Sequence, residues 1–103
     1  MNWFEVAYYD LEEIKNLITD PNTRIITRSS RLTAVSLGYA SADDMVERIK
    51  KLKKTEIYKT MESLTKPGLW QDVYITSDSG VDVYIKLQKS MDEKGVIIRF
   101  KKK

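Results

Sequence analysis

The sequence predicts an α+β domain in which N-terminal helices pack on a C-terminal antiparallel sheet of three or more strands. Apolar residues recur at helical spacing as far as the Lys66-Pro67-Gly68 breaker, and beyond it they alternate with a period of two. The 103 residues suffice for one domain and leave no length for a second core. We therefore expect residues 1–103 to form a single domain.

Three segments before the breaker begin with an N-cap type of residue and continue with apolar residues three and four apart. The N-cap residues are Asp10, Thr27 and Ser41. We expect the first helix to end at Asp20-Pro21-Asn22 and the second at Leu37, before Gly38. The first and third helices carry apolar stripes, formed by Leu11, Ile14, Leu17 and Ile18 and by Ala42, Met45, Val46, Ile49 and Leu52.

Two shorter segments complete the part of the chain that precedes the breaker. Arg24 to Ile26 is expected to form an extended link between the first two helices. Thr55 to Leu64 predicts a short fourth helix, because Ile57, Met61 and Leu64 recur at roughly helical spacing.

After the breaker we expect three strands separated by turns rich in Gly, Ser and Asp. The strands are Trp70 to Thr76, Val81 to Gln88 and a third that begins at Val96. In the second strand, one face carries Val81, Val83, Ile85 and Leu87. In the third strand we expect the apolar face to carry Val96, Ile98 and Phe100, and the other face to carry Ile97, Arg99 and Lys101.

The sheet face that the helices leave uncovered is predicted to be basic. Because the apolar faces of the last two strands must meet the helices, Tyr84, Lys86, Arg99 and Lys101 are expected side by side in solvent. Three cations around a phenol suit a phosphate group. The alternative is an ordinary solvated sheet face, where these residue types are common.

Two missing residue types narrow the chemistry. The chain has no Cys and no His, which excludes Ser-His-Asp and Cys-His catalysis and any zinc site built on those ligands. No cluster of Asp and Glu suggests a magnesium site, so we expect neither a metal nor a cofactor. Any catalysis must use Lys, Arg, Tyr, Gln, Asp or Glu.

Charge is distributed unevenly along the chain. Residues 1–23 hold five acids and one lysine, whereas residues 24–103 hold seventeen bases and ten acids. The excess of basic residues in 24–103 favours a polyanion as partner. The alternative is that this charge only keeps the protein in solution. No apolar run approaches the roughly 20 residues of a membrane-spanning helix, and Met1 to Tyr9 lacks the pattern of a signal peptide. We therefore expect a cytoplasmic protein with no membrane partner.

Four short motifs follow one another along the chain. They are Glu56-Ile57-Tyr58-Lys59-Thr60-Met61, Trp70-Gln71-Asp72-Val73-Tyr74, Val83-Tyr84-Ile85-Lys86 and Phe100-Lys101. In this order and spacing they resemble the motility quorum-sensing regulator (MqsR) toxin family, and the resemblance extends from about Leu11 onward. Departures from the family pattern are the hairpin after Tyr74, where some relatives carry Arg, a longer turn from Lys89 to Gly95, and Arg99 in place of a small polar residue.

The resemblance implies a RelE-like mRNA interferase, with mRNA as substrate on the open face of the sheet. It implies selective cleavage at short GC-containing sequences, growth arrest and a cognate antitoxin, which alone would contact operator DNA. The family's active residues fall on Lys59, Gln71, Tyr84 and Lys101 of this sequence. Lys86 and Arg99 would add RNA contacts.

These residues suit an endoribonuclease that needs no metal, because RNA supplies its own nucleophile, the 2′-hydroxyl. We expect Lys59 and Lys101 to hold the phosphate or protonate the leaving oxygen, and Gln71 to orient the phosphate or read a base. Tyr84 would take the 2′-hydroxyl proton if nearby cations lower its pKa far enough below about 10, or else stack on a base. The alternative functions are an RNA-binding module that does not cut and a regulatory module that binds only the antitoxin.

Two residues of the first predicted strand fit this picture less simply. Alternation puts Gln71 on the face of Val73 and Ile75, opposite Tyr74, which conflicts with a single reactive face. We therefore expect Gln71 at the end of the sheet or beside a bulge. Asp72 is expected to anchor a lysine or arginine in an ion pair.

Overall fold

The computed structural model describes residues 3–103, in which three helices lie on one side of a six-stranded sheet. The helices are α1 (Leu11–Thr19), α2 (Arg28–Ser36) and α3 (Ala42–Lys50), and a 3₁₀ turn covers Lys54–Glu56. The strands are β1 (Trp3–Phe4), β2 (Arg24–Ile26), β3 (Ile57–Glu62), β4 (Trp70–Asp78), β5 (Val81–Lys89) and β6 (Gly95–Lys102). This architecture confirms the α+β prediction.

The sheet is antiparallel except at one edge. Its strand order is β1-β3-β4-β5-β6-β2, and only the β2–β6 pair is parallel among the described strands. The segment predicted as an extended link is therefore an edge strand, with Ile26 opposite Ile97. None of the helices in residues 3–103 has the length and apolar character that crossing a bilayer requires.

The three helices begin at the predicted N-caps, each of which accepts a hydrogen bond from a backbone N–H in the first turn. The Asp10 side chain accepts from Glu12, and the Thr27 side chain accepts from Ser30. Ser41 forms a reciprocal capping box with Asp44, because each side chain accepts from the other's backbone N–H.

The main core lies between the helices and one face of the sheet. Ile14 and Ile18 of α1 and Met45 and Ile49 of α3 are buried against the strands. The sheet contributes side chains from its three longest strands, among them Tyr74, Ile85, Leu87, Ile97 and Phe100. This burial removes apolar surface from water and leaves the opposite face of the sheet without a helical cover.

The predicted fourth helix is wrong, because the segment forms the strand β3 after a single 3₁₀ turn. A lone helix of about ten residues is marginal without a packed face, and Ile57, Tyr58 and Thr60 have side chains that favour strands. Pairing with β4, which places Lys59 opposite Val73, satisfies the backbone of β3. Leu64, expected to pack, is 93% exposed in the loop that follows.

The predicted alternation of the third sheet strand is also wrong at its start. The β5–β6 register shifts between Lys86, opposite Arg99, and Leu87, opposite Ile97, so Ile98 is the extra residue of a bulge. A bulge reverses the alternation on one side of it. Consequently Ile97 joins Phe100 in the main core and Ile98 does not, while Arg99 keeps the predicted open face.

Candidate nucleic-acid interface

The strand register gathers the predicted site residues on the uncovered face of the sheet. Residues directly opposite each other on neighbouring strands share a face. One row across the sheet runs Lys59, Val73, Lys86 and Arg99, and the next row runs Ile75, Tyr84 and Lys101. Four strands thus bring together side chains that are up to 42 positions apart along the chain.

Gln71 also lies on this face, so the expected conflict does not exist. Its side-chain N–H group donates to Gln88 Oε1 at 2.9 Å, which ties β4 to β5 one row beyond Lys86. The residues that point to the helices are instead Asp72 and Tyr74, and both are buried. From Asp72 onward β4 pairs with β5 in regular register, so no bulge is needed to place Gln71.

Val73 forms the floor of the interface. It is 0% exposed although it stands outside the main core on the uncovered face. Its cross-strand neighbours on that face are Lys59 and Lys86, so their alkyl stems are the groups placed to cover it. The ammonium groups of the two lysines can stay in contact with water.

Tyr84 is surrounded by cationic side chains. The ammonium of Lys101 lies 5.1 Å from the centroid of its ring, and that of Lys86 lies 6.0 Å away. Both distances are in the range of cation–π attraction. A second phenol, Tyr58, sits at the irregularity in β3, is 49% exposed and has the Lys59 ammonium 5.5 Å from its ring. The exposure of Tyr58 could not be predicted from the sequence, because the register shift at this residue depends on the pairing of β3 with β4.

The cations of this surface are not neutralised by carboxylates. None of the ion pairs among the described residues involves Lys59, Lys86, Arg99 or Lys101. Arg99 instead donates to Ser29 Oγ at 3.1 Å and to the backbone carbonyl of Ile98 at 3.0 Å. Positive charge held together without acids creates an attractive field for a polyanion.

Burial changes the pKa of the two central side chains in opposite directions. It raises the pKa of Tyr84, and the lowering effect of Arg99 does not overcome it, while Tyr58 adds a smaller rise. A lowered pKa, which was the condition for Tyr84 to take the 2′-hydroxyl proton, is therefore not met. Burial lowers the pKa of Lys86, and the nearby charges of Arg99, Lys59 and Lys101 lower it further.

Asp72 does not form the predicted ion pair. Its two carboxylate oxygens accept from the backbone N–H groups of Tyr8 and Tyr9, both at 2.9 Å. The Tyr9 hydroxyl donates to the Trp70 carbonyl at 2.7 Å, and the Tyr8 ring stacks on the Trp70 ring at 5.6 Å. Asp72 thus fastens the segment before α1 to the start of β4, next to Gln71.

A cleft of about 620 Å³ lies on the helical side of the sheet, away from this interface. Its lining includes Tyr39, Arg48, Glu56 and Asp78 and holds none of the six predicted site residues. Acids and bases are mixed in its lining, and the Tyr39 hydroxyl donates to Asp78 there. No group of three or more acidic residues in the described chain could hold a metal ion.

A small α+β scaffold with cations around a phenol on an open sheet face, unpaired with acids among the described residues, has the electrostatic character that is typical of the nucleic-acid-binding class of proteins. The profile of the family described as motility quorum-sensing regulator, toxin of MqsA, matches residues 6–102. The chain is also 33% identical over 93 residues to the mRNA interferase toxin MqsR of Escherichia coli (strain K12), covering 90% of this chain and 91% of the relative. The chain belongs to the motility quorum-sensing regulator toxin family, as its motifs predicted.

Proposed function

We propose that the chain is an mRNA interferase toxin, a metal-independent and sequence-selective endoribonuclease. The observation that carries this proposal is the cluster of four cations on the open sheet face, unpaired with acids among the described residues, which includes the Lys86 and Lys101 side chains beside Tyr84. The name of the E. coli relative supports the same activity. All residues 1–103 would act as one domain, in the cytoplasm where mRNA is found.

The reaction needs only positioning and charge stabilisation. The 2′-oxygen attacks phosphorus, the bond from phosphorus to the 5′-oxygen breaks, and the products are a 2′,3′-cyclic phosphate and a 5′-hydroxyl end. Lys59 and Lys101 would hold the non-bridging oxygens as negative charge develops on them, and either could protonate the leaving oxygen. Gln71, fixed by Gln88, would orient the phosphate or read a base edge.

Regulation would come from a protein partner. The family description names its members as the toxin of MqsA, so we propose a cognate antitoxin that neutralises this chain and prevents growth arrest. Contact with operator DNA would occur only through that antitoxin. We propose no membrane partner.

The activity is tested with purified protein and a synthetic mRNA fragment in excess EDTA. We expect cleavage with 2′,3′-cyclic phosphate ends, and no cleavage of the same sequence made with 2′-deoxy sugars. RNA that is bound but stays intact at high protein concentration would favour the binding module. Cleavage that appears only on addition of a divalent metal would contradict the metal-independent mechanism.

Replacement of Tyr84 by Phe should leave kcat/KM within about tenfold of the parent protein, because a phenol with a raised pKa is a poor base. Tyr84→Ala should weaken RNA binding by roughly ten- to a hundredfold, since stacking of a base on an aromatic ring contributes about 1–3 kcal/mol. The measurements are cleavage rates across pH and binding of a 2′-deoxy RNA analogue. A Tyr84→Phe variant that is a thousandfold slower would show that the hydroxyl itself takes part in the chemistry.

A further inference from the structure

We propose that Lys86 is the catalytic base that takes the proton from the 2′-hydroxyl, rather than only a contact to RNA, because it lies at the centre of the cation cluster and forms no ion pair with a carboxylate among the described residues. The proposal rests on the ribonuclease function proposed above. In that reaction Lys59 and Lys101 hold the phosphate, and Lys86 would remove the proton of the attacking 2′-hydroxyl.

Lys86 lies at the centre of the cation cluster on the open sheet face. It lies on β5, between β4 and β6, opposite Val73 on one side and Arg99 on the other. The charges of Lys59, Arg99 and Lys101 all act on it, and the Tyr84 ring is 6.0 Å from its ammonium. A phosphate held by the outer cations would therefore have Lys86 beneath or beside its ribose.

The other groups of the interface are unsuited to accept a proton. The chain has no His, and an arginine such as Arg99 stays protonated in proteins. Burial raises the pKa of Tyr84, which keeps its proton on the phenol. The next open-face position along β5 is Asp82, an exposed carboxylate beside the β4–β5 turn, opposite Ser77. Among the described residues, Asp82 is the alternative base that the register suggests.

The electrostatics of the site make the neutral amine of Lys86 easier to form than that of a free lysine. Half-burial disfavours its charged form, and the like charges of Arg99, Lys59 and Lys101 add to that effect, so its pKa lies below the usual value for lysine. A lysine whose pKa falls toward the working pH is the type of lysine that serves as a general base.

The proton balance of the step is closed within the site. The neutral Lys86 amine accepts the 2′-hydroxyl proton as the 2′-oxygen bonds to phosphorus. The 5′-oxygen leaves and takes a proton from the ammonium of Lys59 or Lys101. Lys86 then releases its proton to water, and the donor lysine recovers one, so no oxidant, metal or further reactant is required.

The test compares Lys86→Arg with the parent protein, because arginine keeps the positive charge but cannot act as base. We expect kcat to fall about 100-fold with KM within about threefold, in line with the contribution of general-base catalysis. The parent kcat/KM should rise about tenfold per pH unit up to the pKa of Lys86, and the variant should lose this rise. Lys89→Arg on the same strand, where Lys89 pairs with Glu13, is the matched control and should behave as the parent.

A chemical variant keeps the proposal testable if Lys86→Arg does not fold. The chain has no Cys, so a Lys86→Cys protein can be alkylated at that position alone with 2-bromoethylamine. The product is a thioether analogue of lysine with a less basic amine. We expect activity to return with the alkaline rise moved to lower pH.

Three results would overturn the assignment of Lys86 without touching the ribonuclease proposal, provided that the parent protein cuts RNA in the same assay. They are an unchanged rate and pH dependence in Lys86→Arg, no recovery in the alkylated protein, and loss of the pH-dependent rise in Asp82→Asn. A parent protein that binds RNA without cutting it would instead refute the proposed function.

Discussion

A Lys59→Ala/Lys101→Ala double variant should cleave RNA about 10⁴-fold more slowly than the parent protein, because removal of one group that stabilises developing charge costs about 10²–10³ in rate. The two lysines stand on opposite sides of Lys86, on β3 and β6, and both act on it electrostatically. The measurement is the single-turnover rate with enzyme in excess over RNA. Binding of a 2′-deoxy RNA analogue, measured in parallel, should weaken far less than the rate.

The matched control for this loss is Lys102→Ala/Lys103→Ala, which removes the same charge from the end of the chain. We expect it to lower the rate only slightly and in a salt-dependent way, as a change in long-range attraction does. Neither Lys59 nor Lys101 belongs to an ion pair among the described residues, so both double variants should stay folded, and the site variant should lose only the cover that the Lys59 stem gives to Val73. Equal losses in the two double variants would mean that the lysines of the site act only by general attraction of RNA.

The sequence predicted the parts of the site that depend on local regularity. β5 alternates without interruption, so Tyr84 and Lys86 could be placed on the open face from their spacing alone. The helix caps were predictable for the same reason, because Asp10, Thr27 and Ser41 act within their own first turns. In each case the controlling contacts are close in sequence.

The parts that were wrong depend on contacts between distant segments. Thr55 to Leu64 has apolar residues at roughly helical spacing, and pairing with β4 makes Ile57–Glu62 a strand. The bulge at Ile98 arises from the register between β5 and β6, which no pattern in β6 alone encodes. Gln71 was placed correctly with Val73 and Ile75, but this face was expected to conflict with a single reactive face, because the side that the helices cover was known for β5 and not for β4.

Burial explains why the pKa of Tyr84 is raised although cations surround the ring. The sequence showed that cations would surround Tyr84, and Arg99 does act to lower its pKa. The sequence could not show how deeply the phenol is buried. The rise in its pKa that burial causes is larger than the lowering caused by Arg99. Burial also lowers the pKa of Lys86. The amine of Lys86 is therefore a better candidate for the proton transfer than the phenol of Tyr84.

Replacement of Asp72 by Ala should lower the free energy of unfolding by about 3 kcal/mol, the largest loss of stability that we expect from a single polar side chain. Asp72 is 2% exposed and accepts from the backbone N–H groups of Tyr8 and Tyr9. The Ala variant leaves both donors without an acceptor and leaves a void under them. Asp72→Asn keeps one acceptor oxygen, so it should lose about half as much. Urea denaturation measures both.

Local measurements can show whether Asp72→Ala loosens only the segment before α1 or destabilises the whole protein. In Asp72→Ala, amide hydrogen exchange should speed up first at Tyr8 and Tyr9, because the segment before α1 opens while the main core stays folded. Asp82→Ala removes an exposed carboxylate from the neighbouring strand and should change stability by less than about 0.5 kcal/mol. An Asp72→Ala protein with unchanged exchange at Tyr8 and Tyr9 would show that the carboxylate does not hold the N-terminal segment in place.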